Sequence, residues 1–286
     1  MSLLYVDSSS DLDYETLKKM GVEIISLPYY INEQRMEFGE DFDYKKFYSK
    51  FKKGLCIESF EISLDEYKSI FEQCLSQGDD FVYVHSSKNI FNLENLYKAI
   101  DELKEKYPER TIKLVDSANI SIGTGLITYL ATLLYKQGDS TQEIADKIDV
   151  IKDEYATYFV CDNTEQLCNE GVIEKSMVTG TTLNIKPIFT IDIDGKLRLV
   201  EKASGKKKAI QRILEICRQT GENVADNLIG ISYTSDEESA MELKTKIQDT
   251  FGKDIKLFVN QISPSNAATL GNGILALSFH IHKKTN

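Results

Sequence analysis

Three short runs of the chain place carboxylates and hydroxyls directly after apolar stretches. Asp7-Ser8-Ser9-Ser10-Asp11 follows Leu3 to Val6, Ser86-Ser87 follows Phe81 to His85, and Asp116-Ser117 follows Ile112 to Val115. If those stretches are adjacent parallel strands, the polar groups arrive together at one edge of a sheet, in front of helix N-termini whose N–H groups favour anions. Ser and Asp are also the preferred helix caps, so capping alone accounts for the same residues; the two readings are compatible. His85 stands at the carboxyl end of its strand, where such folds bind ligands, and equally suits a satisfied structural role. His280 and His282 alternate on the last strand beside Lys283 and Lys284, which predicts an exposed polar face and not a metal pair.

Other chemistry has little support. The sequence holds no G-x-x-x-x-G-K-[ST], no G-x-G-x-x-G after a strand, no G-x-S-x-G and no H-E-x-x-H. Gly123-Thr124-Gly125 lies inside a helical segment and reads as close helix packing. Asp192-Ile193-Asp194-Gly195 lacks the remaining ligands of a calcium loop and reads as a hairpin turn. Cys56, Cys74, Cys161, Cys168 and Cys217 are odd in number and scattered, with no C-x-x-C pair, which predicts reduced thiols, no disulfide frame and no metal site. No cofactor is implied.

Alternating strand and helix signals must position these groups. Strand-like runs are Leu3 to Val6, Val22 to Ile31, Phe81 to His85, Ile112 to Val115 and Tyr158 to Cys161, then Leu183 to Ile193, Leu197 to Lys202, Leu228 to Tyr233, Ile255 to Val259 and Ile274 to His282. Helical periodicity fills the intervals near 13–20, 43–52, 63–77, 89–106, 120–137, 140–155, 206–220 and 235–251. Three of these begin with a Ser-x-x-Glu capping box: Ser63/Glu66, Ser140/Glu143 and Ser235/Glu238. The expected fold is α/β, a doubly wound parallel sheet in residues 1–156 and a smaller α/β domain with a mixed sheet in 157–286, covered by helices on one face. With no Pro/Gly/Ser-rich linker, the two domains are expected to pack closely around a cleft.

Composition narrows the partners. The 286 residues carry 45 acidic against 34 basic side chains, a net charge of −11. Such a surface repels phosphates and anionic lipid headgroups, so neither nucleic acid nor a membrane surface is an expected partner. The one basic cluster, Lys206-Lys207-Lys208, reads as a solvated helix start. No apolar run approaches the roughly 18 to 20 residues of a membrane helix. No signal peptide is visible, and the expected location is cytoplasmic.

Taken in order, the motifs resemble the DegV family of bacterial fatty-acid-binding proteins over nearly the whole chain. Asp7-Ser8-Ser9-Ser10-Asp11 resembles the family's D-S-[ST]-x-D. Ile24 to Pro28 resembles its second strand, Ser86-Ser87 its serine pair, Asp116-Ser117 its D-S, and Gly123 with Gly125 its G-x-G. Leu183 to Ile188 followed by Asp194-Gly195 is similar to its L-x-I-K-P-I and later glycine. The resemblance implies a non-catalytic carrier that holds a long-chain fatty acid or related lipid, its tail in an apolar tunnel and its carboxylate near the domain interface. In one branch a separate fatty-acid kinase phosphorylates that carboxylate. The positions carried over as ligand-binding are Glu58, Ser59, Ser86, Ser87, Ile90, Asn92 and Thr269.

This chain departs from the pattern at several of them. The family's T-S-Q-P is Glu58-Ser59-Phe60-Glu61, its L-S-G-T is Asn89-Ile90-Phe91-Asn92, and its H-x-G-P-G is Thr269-Leu270-Gly271-Asn272-Gly273. Two family arginines are replaced by Val172 and Ser204, which weighs against a conventional kinase partnership. A glutamate beside a buried carboxylate would force one of the two to take a proton, so Glu58 implies an altered headgroup site. Two alternatives remain from other classes. One is a small-molecule or phosphoryl-handling enzyme, since the fold is similar to that of dihydroxyacetone kinases. The other is a degenerate member kept for protein contacts, with the pocket filled by Phe60 and Phe91.

Overall fold

The computed structural model describes residues 2–59, 61–178 and 184–284. The chain opens with β1 (Ser2–Asp7), a 3-10 turn (Ser8–Ser10), α1 (Tyr14–Met20), β2 (Glu23–Ile25), β3 (Tyr29–Ile31), β4 (Gln34–Met36), α2 (Tyr44–Phe51) and β5 (Glu58–Ser59). It continues through α3 (Leu64–Leu75), β6 (Asp80–His85), α4 (Glu94–Lys106), β7 (Ile112–Asp116), α5 (Ile122–Gln137) and α6 (Thr141–Ile151). The second half comprises β8 (Tyr155–Cys161), α7 (Glu165–Asn169), α8 (Lys175–Val178), β9 (Ile185–Ile191), β10 (Leu197–Ser204), α9 (Lys206–Thr220), β11 (Ile229–Tyr233), α10 (Glu237–Phe251), β12 (Leu257–Gln261), α11 (Pro264–Leu270) and β13 (Ile274–His280).

Two main sheets result. The first is four-stranded and parallel in the order β2-β1-β6-β7, and the second is mixed, with six strands in the order β10-β9-β8-β13-β11-β12. Helices α3 and α4 cover one face of the first sheet over Phe71, Phe81, Tyr83, Leu96 and Leu103. On its other face α5 packs between the two sheets, and the same core takes in Val6, Val84 and Val115 from one and Phe159, Phe189 and Ala276 from the other. The outer face of the second sheet is closed by α9 and α10. The sequence pattern predicted helices on one face of that sheet; the other face is buried on α5. This gives the α/β fold of two domains sharing one helix.

Small residues make that sharing possible. A β-carbon on Gly125 would lie 2.4 Å from the Ser10 carbonyl oxygen, and one on Gly123 would lie 2.3 Å from the Thr157 hydroxyl. The G-x-G of α5 is therefore a backbone approach between helix, strand-end loop and second sheet.

Helix starts follow local chemistry. Ser63/Glu66 and Ser140/Glu143 form both halves of the capping box, and Asp13 and Asp43 cap α1 and α2. The expected box Ser235/Glu238 is absent. Asp236 caps α10 through the Ser239 N–H at 3.0 Å, while the Ser235 hydroxyl donates to Asn272 at 2.7 Å. The run expected as one strand, Val22 to Ile31, is two. Pro28 has no N–H to offer a ladder, and β3 leaves β2 to join β4 and β5 in a separate three-stranded sheet. Leu183 and Phe60 lie outside the described residues.

Candidate functional site

The ends of β1, β6 and β7 bring their polar groups together. Asp7 is fully buried and accepts from the Ser9 N–H at 2.7 Å and from the Ser9 and Tyr83 hydroxyls. Ser9 Oγ lies 2.7 Å from Ser86 Oγ, which lies 3.0 Å from Thr124 Oγ1 on α5; Ser117 Oγ joins Thr124 at 3.0 Å. One chain of hydroxyls thus links three strand ends to the shared helix. Burial raises the Asp7 carboxyl above the usual range, outweighing the hydrogen bonds that pull it down.

This network forms one wall of a cavity of about 500 Å³, within the range of small-molecule sites. Asp7, Ser9 and Ser86 line one side. Ser59 at the end of β5 and Thr269 on α11 line another, their hydroxyls 3.2 Å apart. Leu27, Pro28, Ile62, Ile90, Phe91 and Leu93 supply apolar surface, with Asn92, Asn95, Tyr67, Ser265, Glu61 and Glu170 completing the lining.

Of the residues carried over from the sequence, the structure brings Ser59, Ser86, Ile90, Asn92 and Thr269 to this one cavity. Glu58 and Ser87 do not line it. Strand alternation sends Glu58 to the opposite side of β5 from Ser59, and it is exposed. Ser87 is fully buried and donates to the Gly195 carbonyl at 2.7 Å, while Asn89 Nδ2 donates to the Asp194 carbonyl at 2.6 Å. The hairpin between β9 and β10 is held against the first domain by this pair. Phe91 lines the cavity.

Acidity reaches the cavity by other residues than Glu58. Glu61 accepts from the Asn95 N–H, and its partial burial raises its carboxyl. Glu170 sits exposed at the rim, where partial desolvation and the nearby Glu58 charge raise its carboxyl. Among the described residues, no Lys, Arg or His lines the cavity. His85 stays outside it. Its Nδ1 lies 2.7 Å from the Ser86 carbonyl and so donates; its Nε2 lies 3.3 Å from the Tyr97 hydroxyl, and burial lowers its pKa.

A joint beside the cavity was legible only in part. Asp11, at a left-handed φ of 52°, is buried and accepts from the Ser263 N–H at 2.7 Å, from Asn266 Nδ2 at 2.8 Å and from the Ser121 hydroxyl. It ties the first strand's loop to α5 and to α11. Burial moves its carboxyl from 3.8 up to about 7. Helix α11 escaped the sequence reading because all seven of its residues are buried, leaving no amphipathic period; its Ser263-Pro264 start was the available signal.

Elsewhere, a polar hollow of about 700 Å³ is lined by Asp162, Asn163, Gln166, Ser235, Asp236 and Gly271 among others, without an apolar wall. Beside it Lys206 pairs with Asp162 at 3.0 Å and Asp236 at 2.6 Å, so this lysine is an anchored residue and not a solvated one. Among the described residues, no group of His, Cys, Asp and Glu is placed to hold a metal, and no helix is long and apolar enough to cross a membrane. His280 Nδ1 donates to the Glu222 carbonyl, 2.7 Å away, and His282 is 93% exposed; among the described residues the pair forms no ligand set.

Fold and cavity together define a two-domain α/β protein with a partly open amphipathic pocket under its strand ends. The chain belongs to the DegV family, whose model matches residues 3–282. It is 27% identical over 284 residues to a DegV domain-containing protein of Clostridium perfringens, covering 97% of this chain and 96% of that one. Among solved structures it is similar in fold to a fatty-acid-binding DegV family protein from Thermus thermophilus (TM-score 0.85, 22% identity, 98% of this chain and 99% of that one). It is also similar to the Streptococcus pneumoniae fatty acid kinase B3 protein loaded with linoleic acid (TM-score 0.84, 20% identity, 98% and 99%).

Proposed function

We propose that this protein binds one acyl lipid in the cavity between Ser59, Ser86 and Thr269 and carries it through the cytoplasm without transforming it. The observation that carries this reading is the cavity itself, lined both by apolar side chains, Leu27 and Phe91 among them, and by hydroxyls, with Ser59 and Thr269 meeting at 3.2 Å. The ligands named for the Thermus thermophilus and Streptococcus pneumoniae proteins support it. Each buried CH2 contributes about 0.8 kcal/mol, so a long acyl chain brings on the order of 10 kcal/mol against an association cost of roughly 4 to 15 kcal/mol. Tail burial is thus decisive for affinity, and the polar wall for selection.

A carrier role is favoured over catalysis by the hydroxyl network. The one base in reach of a described cavity serine is Asp7 beside the Ser9 hydroxyl, and that carboxyl also accepts from the Ser9 N–H and the Tyr83 hydroxyl; Ser86 Oγ contacts Ser9 and Thr124, and both His85 nitrogens face other partners. Val172 is half-buried against the core and Ser204 is exposed, so neither position offers a cation to a partner kinase. Calorimetric titration with acyl ligands tests the reading. One-to-one binding is expected, and Ile90→Trp, which puts a larger ring into the cavity, should weaken it while the circular dichroism spectrum is kept. Undiminished binding by the Trp variant would remove this cavity as the site.

A further inference from the structure

The polar wall, among its described residues, offers an ionised headgroup no cation. Asp7, Glu61 and Glu170 line the cavity, and among its described lining residues there is no Lys, Arg or His. The groups packed around these three do not compensate. Asp7 faces Tyr67, Tyr83 and His85, whose two ring nitrogens are already engaged. Glu61 has Glu94 and Lys98 nearby on α4, and Lys98 is bound to Glu94 at 2.6 Å. Glu170 has Glu58. Lys88 lies over the Tyr97 ring, 5.8 Å from its centroid.

The same surroundings that raise the carboxyls of Asp7, Glu61 and Glu170 act on a ligand carboxyl placed among them. Among the described lining residues, a second negative charge in this cavity has only hydroxyls and amides to meet it. Hydrogen-bond acceptors are plentiful: Glu61 spends one oxygen on Asn95, and Glu170 accepts from Gln166 at 3.1 Å. A neutral head that donates a hydrogen bond meets these acceptors; a carboxylate meets them as a like charge.

Resting on the lipid-binding reading, we infer that the cavity takes acyl chains with an uncharged, hydrogen-bond-donating head: a fatty amide or alcohol, or a fatty acid only in its protonated form. Glu61 and Glu170 are the residues that set this specificity.

Calorimetric titration of the full chain with dodecanoic acid and with dodecanamide between pH 6 and 8.5 tests it. If only the neutral acid binds, its apparent affinity falls about tenfold per pH unit above its own pKa, because the neutral fraction does. The amide should change less than about threefold over the same range. In Glu61→Gln and Glu170→Gln, the acid-to-amide affinity ratio at pH 8 should rise about tenfold. An acid that binds equally well at pH 6 and 8.5 overturns the inference and leaves the lipid-binding reading standing. No binding of either ligand at any pH overturns both.

Discussion

Asp11 provides a pH-dependent test of the joint between the two domains. Its carboxyl is buried among Ser121, Ser263 and Asn266, with Tyr44 and Tyr48 close by, and its pKa moves from 3.8 to about 7. A folded-state pKa raised above the unfolded one means that the native state holds the proton longer. The contribution to stability is therefore complete below about pH 4 and is lost as pH rises towards 7. A rise of about three units corresponds to roughly 4 kcal/mol at about 1.4 kcal/mol per unit. Asp11→Asn retains an oxygen for the Ser263 and Asn266 donors and cannot ionise. Urea unfolding of both proteins at intervals from pH 4.5 to 8 should show the wild type losing stability relative to the variant, by several kcal/mol across the window. Asp7 contributes a slope of the same sign in both proteins and cancels in the comparison. Parallel pH profiles would refute the account of Asp11 as a buried, proton-holding joint.

Further outcomes follow from single contacts. Lys284 is buried with its Nζ donating to the Ala118 carbonyl at 2.7 Å, and its pKa falls to about 8. Stability from that group is lost as pH drops through 8, so Lys284→Met should flatten the rise in stability seen between pH 8 and 10. Tyr48→Phe removes a 2.6 Å bond to the Ile262 carbonyl across the joint and should cost about 1 kcal/mol in urea unfolding, or more if that carbonyl stays dry. Gly125→Ala drives a methyl against the Ser10 carbonyl and should destabilise by about 1 to 3 kcal/mol, measured by thermal unfolding. Ser140→Ala, by contrast, removes a surface capping box and should cost only about 1 kcal/mol without altering ligand affinity.

Much of this architecture was legible because local chemistry and tertiary context agree. Apolar runs ending in Asp7, His85 and Asp116 did become adjacent parallel strands, and their hydroxyls did converge. The G-x-G of α5 read correctly as packing because glycines inside a helix have few other uses. What failed to show was long-range. Whether Glu58 or Ser59 faces the cavity depends on the pairing of β5 with β3, a strand of three residues that no local period reveals. Ser87 differs from Ser86 only in pointing at a hairpin 108 residues away. Helix α11 is buried all round and carries no amphipathic signal, yet it delivers Thr269 and Ser265 to the cavity and Asn266 to Asp11. Glu170 reaches the rim from the C-terminal end of α7, which packs beside α11, so this part of the site's acidity depends on a helix–helix contact that local sequence does not reveal.

The central claim is that the cavity beneath the strand ends holds an acyl lipid. Native mass spectrometry of the protein, purified without detergent from the cells that produce it, tests this most directly. A single adduct with the mass of an acyl lipid, diminished in the Ile90→Trp variant, is the predicted result. An adduct-free spectrum, with no acyl species in a solvent extract of the same sample, would contradict it.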